Sequence, residues 1–219
     1  MTLIDLSHDI FDGLVTYKGL PAPIICDYWS REASAEFYDN GDSFQIGKIE
    51  MVANTGTYLD CPFHRFADGH DLAELPLENC ADLEGIVIRA PYEKVGAAVD
   101  IALFEGKNLK NKAVLVHTGW SKHWNTEGYF EAGHPYLTVA AAEYLKQSGV
   151  CLVGIDSHNI DDTRHKSRPV HTILLRENIL IVEHLTNLAA LPDEGFYFSA
   201  VPPKFKGVGT FPVRAMARL

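Results

Sequence analysis

Four short runs constrain the fold more than any other feature of this chain. They are GIVIRA from Gly85, KAVLVHT from Lys112, GVCLVGIDS from Gly149 and NILIVEH from Asn178. Each is rich in valine, isoleucine and leucine and too short for a core helix, so each reads as a strand. TLIDLS, SFQIGKIEMVA, GFYFSAV and FPVRAMARL add strand signals. In SFQIGKIEMVA the apolar alternation changes phase at Gly47, the mark of a β-bulge. In the last segment Val213, Ala215 and Ala217 alternate with Arg214, Met216 and Arg218.

Helical signals are fewer. TVAAAEYLKQSG has Thr138 as N-cap and Gly149 as its stop. SRPVHTILLREN has Pro169 in its first turn and Asn178 where a left-handed C-terminal residue sits. A short helix is expected after Asp100 in DIALFEG. Strands outnumber helices and do not alternate strictly with them. The reading is therefore an α/β fold with a mixed sheet and few helices, not a doubly wound one.

No linker, repeat or low-complexity tract divides the 219 residues, so 1–219 is read as one domain. A hydrophobic fraction of 47% with 22% charged residues suits a globular chain able to build a core. The net charge of −10 argues against nucleic acid and anionic membranes as partners. The four cysteines show no CxxC spacing and no disulfide framework. The start MTLIDLSHDI has no basic region followed by an apolar run, and no apolar run approaches the ~18 residues of a membrane span. A cytoplasmic location is the expectation.

Chemistry concentrates in NTGTYLDCPFH, residues 54–64. Asn54, Tyr58 and Asp60 share parity, and in extended backbone their side chains point the same way. Gly56 and Thr57 allow a close turn, and Pro62 redirects the chain so that His64 folds back towards Asp60. An amide, a phenol, a carboxylate and an imidazole are thereby offered to one small volume. The bland reading is a turn in which the aspartate bonds its own backbone. A second group weighs against that reading. HTILLRENILIVEHL places His171 in a helix and Glu183 at the end of an apolar strand, where a carboxylate is costly unless paired or bound to a metal. Asp60, His64, His171 and Glu183 form an ordinary donor set for hydrolytic zinc or manganese.

The same segments, with LPLENCADLEGIVI, VHTGW and GIDSHNID, resemble the cyclase-like metal-dependent hydrolases, a family that includes bacterial kynurenine formamidase and isatin hydrolase. The resemblance runs from DLSHDI to FPVRAMARL. It implies a swivelling β/β/α domain in homodimers or homotetramers. The family signature is H-x-G-T-H-x-D-x-P-x-H. Gly56, Thr57, Asp60, Pro62 and His64 match it, whereas Asn54 and Tyr58 stand where the signature has metal-binding histidines. By the same resemblance Asp60, His171 and Glu183 are metal ligands and His64 is the general acid/base. A neutral amide and a phenol of pKa near ~10 are poor ligands, so one divalent ion, zinc or manganese, or none, is expected.

The expected activity is hydrolysis of an amide, cyclic amide, ester or lactone in a small aromatic or cyclic substrate, as in an arylformamidase. Tyr58 is expected to donate a hydrogen bond to the developing oxyanion. Trp120 and Trp124 in HTGWSKHW, with His117, lie in a loop after a strong strand, and Trp120 is expected to face a flat substrate. Asn54, and His158 with Asp161 in GIDSHNIDD, are expected to line the pocket, while Asp156 is read as structural. DYWSREASAEFYDNGDSF is expected to form an arm over a neighbouring subunit. Two other readings compete. One is a metal-free protein that binds small molecules on the same fold. The other is a Cys61–His64 nucleophile pair, which lacks an orienting partner.

Overall fold

The computed structural model describes residues 1–219. Strands β1 (Leu3–Asp5), β2 (Ile24–Trp29), β3 (Ile46–Glu50), β4 (Tyr58–Asp60) and β5 (Leu83–Arg89) occupy the first half. Strands β6 (Ala98–Val99), β7 (Ala113–His117), β8 (Tyr136–Leu137) and β9 (Leu152–Ile155) follow. The chain ends with β10 (Leu180–Glu183), β11 (Glu194–Ser199), β12 (Thr210–Pro212) and β13 (Met216–Arg218). The helices are the single turns α1 (Arg31–Ser34) and α2 (Tyr92–Val95) and the longer α3 (Val139–Gln147) and α4 (Pro169–Arg176). The segment after Asp100 is a 3-10 turn, Ile101–Leu103.

Nine strands form one mixed sheet in the order β1-β13-β11-β5-β7-β9-β10-β4-β12. The four apolar runs are its parallel centre, β5, β7, β9 and β10. Antiparallel strands flank them on both sides. FPVRAMARL is not one strand. Its first part pairs with β4 at one edge of the sheet, and its last part pairs with β11 and β1 at the other. The backbone at Val213 donates to Thr57, and that at Leu6 donates to Ala215. This tail therefore bridges the two edges and the sheet curls. The alternation in the tail survives the break: Val213, Ala215 and Ala217 are buried.

Both faces of the sheet are covered by apolar side chains. One face packs Ile86, Val114, Val153 and Ile181 against the buried sides of α3 and α4, including Ala141, Leu145 and Leu174. The other holds Leu59, Cys61, Leu115, Val182 and Phe198. Each fully buried aliphatic side chain contributes about 1.5–3 kcal/mol of transfer free energy, so the central strands form the rigid base of the molecule. Helix α3 starts where the Thr138 hydroxyl accepts the Ala141 N–H at 3.1 Å, and the chain leaves it at Gly149, φ +69°. Helix α4 begins at Pro169 and is followed by Asn178 at φ +58°.

Strands β2 and β3 form a separate hairpin. The bulge anticipated at Gly47 occurs at that level, but the extra residue is Tyr28 on the partner strand. The alternation in β3 does not report a buried face, because all five of its residues are exposed. No helix is long and apolar enough to cross a membrane.

Candidate active site

Strand register assembles the first part of the site. In the β4–β10 pair Tyr58 lies opposite Glu183, and across β4 on its other side Thr210 lies opposite Asp60. Side chains directly opposite in an antiparallel pair share a face. The parity of Tyr58 and Asp60 therefore places both on the helix-covered face with Glu183, and Leu59 and Cys61 point into the other core. The turn that precedes β4 is fixed by Gly56 at φ +66° and by the Thr57 hydroxyl, which donates to the His184 carbonyl at 2.6 Å. After β4, Pro62 opens a 3-10 turn that ends at His64. Gly209 lets this turn close, since a Cβ there would lie 2.2 Å from the His64 nitrogen.

Helix α4 supplies His171. The Asp161 carboxylate accepts the N–H groups of Val170 at 2.8 Å and His171 at 3.1 Å, and so caps the helix from outside it. The same carboxylate holds the His171 Nδ1 at 2.6 Å. Nε2 is left 3.7 Å from Asp60 Oδ2 and 3.6 Å from Glu183 Oε1. Glu183 accepts the Ile160 N–H at 2.7 Å and the Tyr58 hydroxyl at 2.5 Å. The Thr210 hydroxyl donates to Asp60 Oδ1. Its single proton being spent, its oxygen accepts from His64 Nδ1 at 2.8 Å, so in the neutral imidazole Nε2 is the acceptor.

The acids sit in an unfavourable medium for charge. Burial pushes the Glu183 carboxyl up to about 7, against the pull of the His171 charge. Burial alone would lower the His171 pKa, but the bond to Asp161 and the neighbouring Asp60 and Glu183 carboxylates raise it to about 10. Burial also lifts the Tyr58 and Tyr17 phenols well above their usual range, so both are neutral donors. Cys61 is driven up to about 11 by burial, and its side chain belongs to the opposite core. A Cys61–His64 nucleophile pair is thereby excluded.

A cleft of about 190 Å³ opens onto these groups, lined by Asn54, Tyr58, His64, His171 and Glu183 together with Tyr17, Leu20, Arg65, Asn159 and Arg168. Asp60 is fully buried against it. Three anticipated residues lie elsewhere, and of these Asp161 is buried behind His171. Trp120 donates its indole N–H to the Tyr129 carbonyl at 3.1 Å and packs on Tyr92 and His123, because the strand after Lys112 ends in a 3-10 turn that folds the ring inward. The His158 ring is enclosed by Tyr17, Phe130 and His134, behind the cleft wall, and Trp124 stacks on His8. Tyr58 lines the cleft, yet its one proton is committed to Glu183, so in this geometry it positions that carboxylate and does not face an oxyanion. Asp156 accepts the N–H groups of Thr118 and Gly119.

The Cyclase family model matches residues 4–162. The chain belongs to the Cyclase family. Among curated relatives of this Cyclase-family chain, the kynurenine formamidase of Bacillus cereus is 27% identical over 216 residues, covering 98% of this chain and 96% of that protein. The kynurenine formamidase of Geobacillus thermodenitrificans is 29% identical over 215 residues, with the same coverage of 98% and 96%. Among solved structures, isatin hydrolase A from Labrenzia aggregata superposes with a TM-score of 0.83 at 21% identity, covering 99% of this chain and 93% of that one. At that identity the likeness establishes the fold: the curled mixed sheet with few helices is that of the Cyclase family's structural neighbours.

The residues present suit a divalent cation. Asp60 Oδ2 is buried without a hydrogen-bond partner and faces His171 Nε2. The orienting bond from Nδ1 to Asp161 is the arrangement that fixes a ligating imidazole. Gaps of 3.6 and 3.7 Å between donor atoms resemble the ~3.4 Å separation that four ligands at ~2.1 Å require around zinc. Asp60, His64 and His171 also bring donor atoms within 4.8 Å of one another, so His64 is a second candidate for the third ligand.

The residues that sequence reasoning missed divide by signal. Arg65 follows His64 directly and was open to notice. Thr210 had no signal, since it reaches Asp60 only through the β4–β12 register.

Proposed function

We propose that the chain, acting as one domain over residues 1–219, is a metal-dependent hydrolase of a carbon–nitrogen bond outside peptides. Its substrate is a small aromatic or cyclic amide, or the corresponding ester or lactone. The names of its curated relatives, kynurenine formamidases, and of isatin hydrolase support this reaction class. The observation that carries the reading is the buried, unpartnered Asp60 Oδ2 facing the His171 Nε2, whose other nitrogen Asp161 holds.

Asp60, His171 and Glu183 would hold one divalent ion, zinc or manganese. Such an ion polarises a carbonyl and brings the pKa of water down towards ~7. His64 Nε2, the acceptor nitrogen of the neutral tautomer that the Thr210 bond selects, removes a proton from the attacking water and returns it to the leaving nitrogen. Tyr58 holds Glu183, and Asn54 offers an amide to the substrate from the cleft wall. The apolar residues Ile24, Tyr28, Trp29, Ile46 and Ile49 are exposed on the β2–β3 arm, which supports a homodimer or homotetramer built through it. A cytoplasmic location suits a chain with no apolar membrane-spanning helix.

The test is metal analysis of purified protein with assays on formanilides, cyclic imides and lactones. His64→Ala should retain the ion and lose turnover by about 10²–10⁴-fold, the range of general acid–base catalysis. Loss of the ion instead assigns His64 as a ligand. Absence of bound metal, with no hydrolysis after metal addition, would sink the hydrolase reading in favour of a binding protein.

A further inference from the structure

The cleft contains positive charge that the reaction above does not use. The chain has eight arginines and an excess of acids, 29 against 19 basic residues. Arg89, Arg164, Arg176, Arg214 and Arg218 each pair with an aspartate. Arg65 and Arg168 have no carboxylate partner, and both line the cleft. Each is tied in sequence to a histidine of the site: Arg65 follows His64, and Arg168 precedes the first turn of α4, which carries His171.

Their remaining donors are free to act on a ligand. Arg65 Nε donates to the Thr172 hydroxyl at 3.2 Å, leaving both terminal nitrogens. Arg168 spends one terminal nitrogen on the carbonyls of His165 and Ser167, at 2.5 and 2.9 Å. These bonds steer the guanidinium groups without neutralising them. The nearby acids are engaged elsewhere: Asp161 caps α4, and Glu183 is held by Tyr58 and Ile160. A free guanidinium presents a fork of donors that matches a carboxylate. Tyr17 and Leu20 give the same cleft an apolar side, against which a ring can lie.

We infer that the substrate carries a carboxylate, bound by Arg65 and Arg168, in addition to the bond that is hydrolysed. This rests on the proposed hydrolase reading for the identity of the reaction, but not for the binding of the anion. The cleft is thus selective for aromatic amide acids over their neutral counterparts.

The experiment compares N-formylanthranilate with formanilide as substrates and benzoate with benzamide as ligands, the latter by calorimetry on the protein as purified. Wild type is expected to prefer the acid of each pair by at least ten-fold. In Arg65→Gln/Arg168→Gln the ratio between the pair should fall by at least ten-fold, and each single variant should show part of that fall. Thermal melts verify that the variants fold. A wild-type preference below ten-fold, a preference that survives in the double variant, or undetectable benzoate binding overturns the inference. If neither formyl compound is hydrolysed yet benzoate keeps its arginine-dependent advantage, the formamide form of the hydrolase reading fails and this inference stands.

Discussion

Replacing Tyr58 by phenylalanine removes one hydroxyl from a fully buried position and leaves the ring in place. The lost bond is the 2.5 Å donation to Glu183 Oε2, and the contact at 3.3 Å with the Tyr17 hydroxyl goes with it. A hydrogen bond to a charged group is worth about 1.5–3 kcal/mol, so a Tm fall of about 3–12 °C is expected for a chain of this length. The larger consequence is for the ion. Partners that orient a ligating group typically account for 10–100-fold in metal affinity. Tyr58→Phe should therefore weaken metal binding about 10–100-fold, while kcat at saturating metal stays within about three-fold of wild type. Competition with a chelator measures the first, and initial rates across a metal titration measure the second. The reasoning is refuted if affinity is unchanged and the metal-saturated kcat drops about 10²-fold or more, the behaviour of a group that donates to the oxyanion.

Three other perturbations follow from the same geometry. Asp161→Asn places an amide against the His171 Nδ1 and weakens the cap on α4; metal affinity should fall about 10–100-fold by chelator competition. Gly209→Ala drives a methyl into the backbone at His64, and should cut kcat and lower the thermal midpoint together. The buried His158 is held down at about 3, chiefly by desolvation, with the His134 and Arg168 charges acting in the same sense. Its unfolded value is ~6.5, so between these limits the unfolded chain binds a proton that the folded chain refuses. The stability is complete above pH ~6.5 and declines as pH falls; two pH units at about 1.36 kcal/mol each put the loss at pH 4.5 near ~3 kcal/mol. Urea midpoints at pH 7 and 4.5 should differ less in His158→Gln than in wild type, and an equal difference would remove His158 as a source of the acid sensitivity.

Much of the local structure is legible in the residues, although FPVRAMARL splits between two edges of the sheet and the segment after Asp100 is only a 3-10 turn. The four apolar runs could only be central strands, because nothing but a sheet covered on both faces hides so many β-branched side chains in so few residues. Thr138, Gly149, Pro169 and Asn178 bounded the two longer helices, since caps and left-handed residues act within a turn of their own position. The shared parity of Tyr58 and Asp60 likewise put both on one face of β4, because period-two geometry is local, whereas Asn54 reaches the cleft through the turn at Gly56 and not through an extended run.

What those groups do to one another is set by contacts between distant parts of the fold. The donation of the Tyr58 proton to Glu183, the Thr210 bond that sets the His64 tautomer and the reach of Asp161 to His171 depend on register between strands or on a cap from outside a helix. Trp120 and Trp124 were ambiguous for the same reason: an aromatic ring after a strand serves a wall or a core according to how the following turn packs. Hydrogen-bond direction and charge pairing belong to neighbours far apart in the chain. A one-dimensional pattern names the donors and acceptors, but the fold assigns each proton to its partner.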